Sequence, residues 1–225
     1  MSYRRSTQSL AIVMLAFLSS CQEASQPVMG NQTFALSGAE IAALERNANE
    51  GDCEAAQKLA NYYGFVRSDQ DKQIYWLRVG ADAGDVTCQT NLAMLLQTKR
   101  ESAADDDAFQ YLKVAADAGG ADAQLMLAEA YEEGRGTTPD LSQARIWYER
   151  SANQGVYRAM IRSGELALEG VGGPADEVLG VSWLLKARRT LPEGSVLYRE
   201  LSDAIVNARR GMTDSQFEEA KRAAE

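Results

Sequence analysis

The feature that most constrains this chain is an internal period of 33 to 36 residues. Four segments align on a glycine at the head: Gly51-Asp52-Cys53-Glu54-Ala55, Gly84-Asp85-Val86-Thr87-Cys88, Gly119-Gly120-Ala121-Asp122-Ala123 and Gly155-Val156-Tyr157-Arg158-Ala159, with strides of 33, 35 and 36 residues. Eight residues before the second, third and fourth heads stand Trp76, Tyr111 and Trp147, and Trp183 follows after a further 36 residues. Three residues before each head stands an alanine: Ala48, Ala81, Ala116 and Ala152. A unit of this size cannot bury its apolar face alone, so such units stack and share one continuous core.

Each unit reads as two helices. The first carries Leu59, Ala60 and Tyr63 in repeat one, Leu92, Ala93 and Leu96 in repeat two, and Leu127, Ala128 and Tyr131 in repeat three. Spacings of three and four place these on one stripe. The second helix carries its aromatic and its small residues at similar spacing, so the alanines permit close helix approach and the aromatic fills the space between units. The head glycine is expected to end the unit in a left-handed turn. Asp69, Asp140 and Asp176 read as N-caps of second helices, Asp140 with Gln143 in the capping-box spacing; repeat two has Ala104 there and Asp105 beside it. Ser37 with Glu40 is another capping box, opening a helix that runs through Glu50 with Ile41 and Leu44 inward. Two helices near 193–210 and 213–224, broken at Gly211, are expected to seal the far end.

The run Ala123-Gln124-Leu125-Met126-Leu127-Ala128-Glu129-Ala130-Tyr131-Glu132-Glu133-Gly134-Arg135-Gly136, followed by Asp140, Ala144, Trp147-Tyr148 and Ala152, resembles a Sel-1-like repeat, a relative of the tetratricopeptide repeat. Repeat four keeps the pattern through Leu168-Glu169-Gly170-Val171-Gly172-Gly173, Asp176 and Trp183, whereas repeats one and two lack the glycine-bracketed loop. The resemblance covers roughly residues 38–190. It implies an all-α fold, an α-solenoid of helix-turn-helix repeats with N- and C-terminal capping helices. The repeats occupy 37–190 and the C-terminal caps 191–225.

The first twenty residues read as an address. Arg4 and Arg5 precede nine apolar residues, Leu10 to Leu18, too few for the roughly 20 a spanning helix needs but fitting a secretory signal peptide. The segment Leu18-Ser19-Ser20-Cys21 resembles a bacterial lipobox, which implies lipidation of Cys21 as the first mature residue, and Gln22 after it implies the outer membrane, facing the periplasm. Residues 21–36, with Pro27 and Gly30, read as a flexible tether. Removing residues 1–20 leaves 21 basic against 32 acidic residues, a net charge of −11.

That acidity argues against nucleic-acid binding, which needs a basic face. The absence of histidine removes Ser-His-Asp and Cys-His nucleophiles and His-ligated zinc. No Ser-x-x-Lys, Gly-x-Ser-x-Gly or phosphate-binding loop is present, which disfavours a cell-wall or β-lactam hydrolase. The acidic pairs and runs Glu132-Glu133, Asp105-Asp106-Asp107 and Glu218-Glu219 put neighbouring carboxylates about 100° apart on a helix, unsuited to facing each other across a glycosidic bond. No catalytic residue, metal site or cofactor is expected. Trp76, Trp147 and Trp183 read as packing between units rather than as sugar platforms. In the oxidising compartment that export implies, the even pair Cys53 and Cys88 suggests a disulfide; the alternative is that Cys88 replaces a buried alanine and Cys53 is a surface thiol.

What remains is a surface. The tetratricopeptide groove positions, carried onto this register, give an inner wall of first helices with outward Gln57, Asn61, Thr90, Met94, Leu125, Glu129, Arg158, Ile161 and Glu165. Apolar positions beside acids suit a protein or peptide partner, a basic one being steered in by the net charge. The resemblance implies an envelope assembly scaffold or, as an alternative, an immunity protein that neutralises a periplasm-targeted toxin such as a phospholipase.

Overall fold

A computed structural model describes residues 36–99 and 102–225; Cys21, the signal segment and the tether up to residue 35 lie outside the described residues. The described residues form eleven α-helices and no strand: α1 Gly38–Asn49, α2 Cys53–Asn61, α3 Gln70–Asp82, α4 Val86–Gln97, α5 Ser102–Asp117, α6 Ala121–Glu133, α7 Leu141–Asn153, α8 Tyr157–Glu169, α9 Glu177–Arg189, α10 Val196–Arg209 and α11 Asp214–Ala223. The pairs α2/α3, α4/α5, α6/α7 and α8/α9 are the four units of the solenoid. From α1 to α10 each helix packs on the next in sequence, α1 covers the first unit, and α10 and α11 both pack on α9 at the other end.

The start signals operate as hydrogen bonds. Ser37 and Glu40 form the reciprocal capping box, and Asp69 and Asp176 accept the backbone N–H of Lys72 and Leu179. Asp140 caps α7 by accepting from Ser142 and Gln143, but the Gln143 side chain does not reach back, so this is a single-sided cap. In repeat two the described part of α5 already includes Ser102, ahead of the Ala104/Asp105 register. The repeat heads end their units as expected: Gly51, Gly84, Gly119 and Gly155 have φ between 93° and 97°. A side chain at these heads would meet no atom within 4 Å, so glycine is required there by backbone conformation and not by lack of space.

The core is one continuous file of buried side chains. Leu59, Leu92 and Leu127 occupy equivalent first-helix positions and are fully buried, as are the alanines at 48, 81, 116 and 152. Trp76, Trp147 and Trp183 are buried between layers, with Arg150 and Lys186 stacked over the rings of Trp147 and Trp183. Buried glutamines stitch the units: Gln89 and Gln124 donate to the carbonyls of Ala81 and Ala116, both at 3.1 Å, satisfying the ends of the preceding second helices. Helices α8 and α9 approach closely where a Cβ on Gly180 would lie 2.9 Å from the Gly164 carbonyl oxygen.

Repeat one has no glycine-bracketed loop, and there the chain leaves α2 through a π-helical turn, Tyr62–Val66, and then Ser68 at φ +52°. In repeats three and four the bracketed loop folds onto the preceding unit, Gly136 against the Asp105 carbonyl and Gly172 against that of Leu141. Among the described residues no helix is long and apolar enough to cross a membrane.

Candidate functional site: the wall of first helices

Helices α2, α4, α6 and α8 recur at one register and present one face of the solenoid. Of the nine residues expected to point outward, eight do so at least in part: Gln57, Asn61, Thr90, Glu129, Arg158, Ile161 and Glu165 are half-buried, and Met94 is 48% exposed. Leu125 does not. It is 5% exposed and belongs to the core. Gln57 and Thr90 stand at the equivalent repeat position and remain half-exposed, so this position lies on the border of wall and core. Ile161, at the same position in repeat four, is also half-buried, so Leu125 alone of the four turns fully into the core. Of the apolar wall positions expected, Met94 and the half-buried Ile161 remain and Leu125 is lost.

Between repeats three and four the wall is bound by charge. Arg158 Nη2 donates to Glu129 Oε1 at 2.7 Å, and Arg162 Nε donates to Glu132 Oε1 at 3.1 Å, both pairs joining α6 to α8. Arg162 Nη1 also donates to Glu165 at 2.8 Å, and the Tyr148 hydroxyl of α7 donates to Glu132 Oε2 at 2.7 Å. Arg135, in the loop after α6, lies 2.9 Å from Glu133 and 3.9 Å from Glu129. The two central carboxyls respond in opposite directions. Burial pushes Glu129 above its ordinary value, with Arg158 and Arg135 opposing. Burial acts the same way on Glu132, but hydrogen bonds from Arg162 and Tyr148 outweigh it and hold that carboxyl low. Burial and the Glu132 charge together raise the Tyr148 hydroxyl, which therefore stays protonated as a donor.

Across the interface between repeats one and two the facing positions are neutral, although repeat one pairs Glu54 with Lys58 at 2.7 Å on its own helix. Where Glu129 and Arg158 face each other, repeats one and two have Asn61 and Thr87; where Glu132 and Arg162 stand, they have Gly64 and Asn91. Gln57 and Asn61 make no side-chain hydrogen bond among the described residues. Thr90 turns its hydroxyl back to the Val86 carbonyl at 2.7 Å.

Reading outward positions alone missed Glu132, Arg162, Tyr148 and Arg135. The signal was available: Glu132 precedes Arg162 by 30 residues and Glu129 precedes Arg158 by 29, spacings just short of one repeat, which bring opposite charges level on adjacent first helices.

Cys53 and Cys88 are not bonded to each other. Cys88 is fully buried, with its sulfur 2.5 Å from where a Cβ on Gly80 would lie, and burial pushes its thiol up to about 12. Cys53, half-buried, directs its thiol to the carbonyls of Gly51 and Ala83 at 3.7 and 3.9 Å. The expected disulfide is not formed, because the two residues differ by two positions in the repeat and Cys88 fills an alanine site. Among the described residues, no three Cys, Asp or Glu side chains converge as metal ligands would.

Known proteins match this architecture. The profile of the Sel1 repeat matches residues 53–85, 87–120, 121–156 and 158–189, more than half of the chain. The chain is a Sel1-repeat protein. Sel1-repeat proteins mediate protein–protein interaction. Among solved structures, a protective antigen present in uropathogenic Escherichia coli strains, with an SLR fold, superposes with a TM-score of 0.71 at 24% identity over 82% of this chain. The Sel1-repeat chain described here spans only 39% of that antigen's length. A Sel1 repeat protein from Oxalobacter formigenes aligns at 32% identity over 56% of this chain and 98% of its own, with a TM-score of 0.49. No curated protein matches the chain.

Proposed function

We propose that this Sel1-repeat protein is a non-catalytic interaction module, tethered to the periplasmic face of the outer membrane through Cys21, that holds another protein on its first-helix wall. The observation that carries the reading is the wall itself. Four equivalent helices present one register of side chains over a complete core, and the half carrying Gln57, Asn61 and Met94 is not engaged by the fold. The membrane assignment rests on Arg4-Arg5, the apolar run and Leu18-Ser19-Ser20-Cys21. With a net charge of −11 after residue 20, a basic partner is attracted at long range, and the association rate falls as salt rises.

The test is a pull-down from detergent-solubilised envelopes with the lipidated chain, comparing the natural sequence with Asn61→Arg and Met94→Glu. A partner retained by the former and lost by the latter two supports the reading. Equal capture by all three removes the wall from the function, and turnover of a peptidoglycan or β-lactam substrate by the purified protein removes the non-catalytic reading. The nature of the retained partner separates an envelope scaffold from toxin neutralisation: an assembly component indicates the first, a secreted lipase the second.

A further inference from the structure

The turn that leaves α2 is built unlike those that leave α6 and α8. Its π-helical geometry is closed by Arg67 N–H donating to the Tyr62 carbonyl at 3.2 Å and Asp69 N–H donating to the Tyr63 carbonyl at 2.8 Å, with Ser68 held at φ +52° between them. π-Helical turns and left-handed non-glycine residues persist where surrounding structure enforces them, often at ligand sites. Here they frame a recess of about 360 Å³ lined by Ile41, Tyr62, Tyr63, Arg67, Asp69 and Lys72.

Two tyrosines in this recess are nine-tenths buried yet keep their hydroxyls open to it. Tyr62 and Tyr63 are 9% and 8% exposed, their rings meeting edge to face at 5.3 Å, yet neither hydroxyl has a hydrogen-bond partner among the described residues. Neither oxygen is sealed from solvent, so each hydroxyl is free to donate to a group that enters the recess. Arg67 likewise makes no side-chain hydrogen bond or ion pair among the described residues. Lys72 is committed: its ammonium lies 4.7 Å from the centre of the Tyr63 ring and 3.9 Å from Asp69. Asp69 in turn accepts the Lys72 backbone N–H at 3.1 Å.

We propose that this recess binds a carboxylate on an apolar stem, with the Arg67 guanidinium pairing with the carboxylate and the Tyr62 and Tyr63 hydroxyls donating to it. One uncompensated guanidinium matches one carboxylate in charge and in fork geometry. A phosphate dianion would bring a second negative charge beside Asp69 with no cation left to balance it. Ile41 at the wall of the recess accommodates the stem.

The experiment follows backbone amide shifts of residues 62–72 in the isotope-labelled full chain in detergent, titrated with N-acetyl-leucine, N-acetyl-leucinamide, acetate and inorganic phosphate. Saturable shifts with N-acetyl-leucine and none with the amide are expected. Arg67→Gln weakens binding about tenfold or more, and Tyr63→Phe, which keeps the ring packing, weakens it several-fold. Preference for N-acetyl-leucine over acetate assigns the site to a chain end or acidic side chain of a partner; equal affinity assigns it to free small acids, and both uphold the carboxylate site. Equal binding of the amide, a preference for phosphate, or an unchanged affinity in Arg67→Gln overturns it. The wall reading stands or falls separately, on the Met94→Glu pull-down.

Discussion

The two halves of the first-helix wall share a core and differ in what they do with their surface. Beneath both, Leu92 and Leu127 are fully buried at the same repeat position. Above, repeats three and four turn their charges on each other through Glu129–Arg158 and Glu132–Arg162, while repeats one and two offer Asn61, Asn91 and Met94. A solenoid has no long-range contacts between distant units, so each interface is stabilised locally. The charged half spends its polar groups holding neighbours together, and the neutral half leaves its own available. Repetition thus fixes the scaffold and frees the surface to differ from unit to unit.

Leu92→Ala and Leu127→Ala provide the most severe test of a shared core. Each is expected to cost about 3 kcal/mol in urea denaturation, and a much smaller loss at one site would show that the halves differ beneath the wall as well. Next in size is Glu132→Gln, expected to cost about 2 kcal/mol at pH 7 because Arg162 loses its charged acceptor, against less than about 0.5 kcal/mol for Asn91→Ala in the neutral half. The pH dependence has a definite sign. The Glu132 carboxyl sits below its ordinary value in the folded protein, so its contribution is present above the ordinary carboxylate range and is lost as pH falls through the depressed value. Melting curves of the natural chain and Glu132→Gln therefore converge on acidification. Glu129, raised by burial, works in the opposite sense and favours the folded state on the acid side.

A smaller effect comes from grafting the charged lock one interface earlier. Gln97 and Met126 stand where Glu132 and Arg162 do, and the double variant Gln97→Glu/Met126→Arg is expected to show a favourable coupling of about 0.5–1 kcal/mol in a double-mutant cycle. Zero coupling would mean that Tyr148, whose hydroxyl braces Glu132, is indispensable to the lock. Smallest of all, Met94→Glu should change stability by less than about 0.5 kcal/mol in thermal unfolding, since its side chain is half in water.

The repeat architecture was legible because it rests on residue types with few alternatives: a glycine where φ is positive, an alanine where helices touch, an aromatic between layers. The charged lock was harder to see, because Glu132 and Arg162 look like ordinary helix-surface residues until the next helix is laid beside them. Leu125 illustrates a different limit. A groove position on the border of the core admits polar or apolar residues, and residue type alone does not set its depth, since Ile161 at the same position stays half-buried while Leu125 is buried. The π-helical turn carries no sequence signature of its own beyond the missing glycine bracket, since Tyr62-Tyr63-Gly64-Phe65-Val66 would serve equally as the last turn of a helix.

The four head glycines have a consequence for how such an array changes over generations. Because each joint has nearly the same backbone twist and empty space around it, the joints are interchangeable couplings. A unit cut out or copied between one head and the next meets the same coupling on both sides. The array can therefore be lengthened or shortened a whole unit at a time while the chain on either side keeps its path.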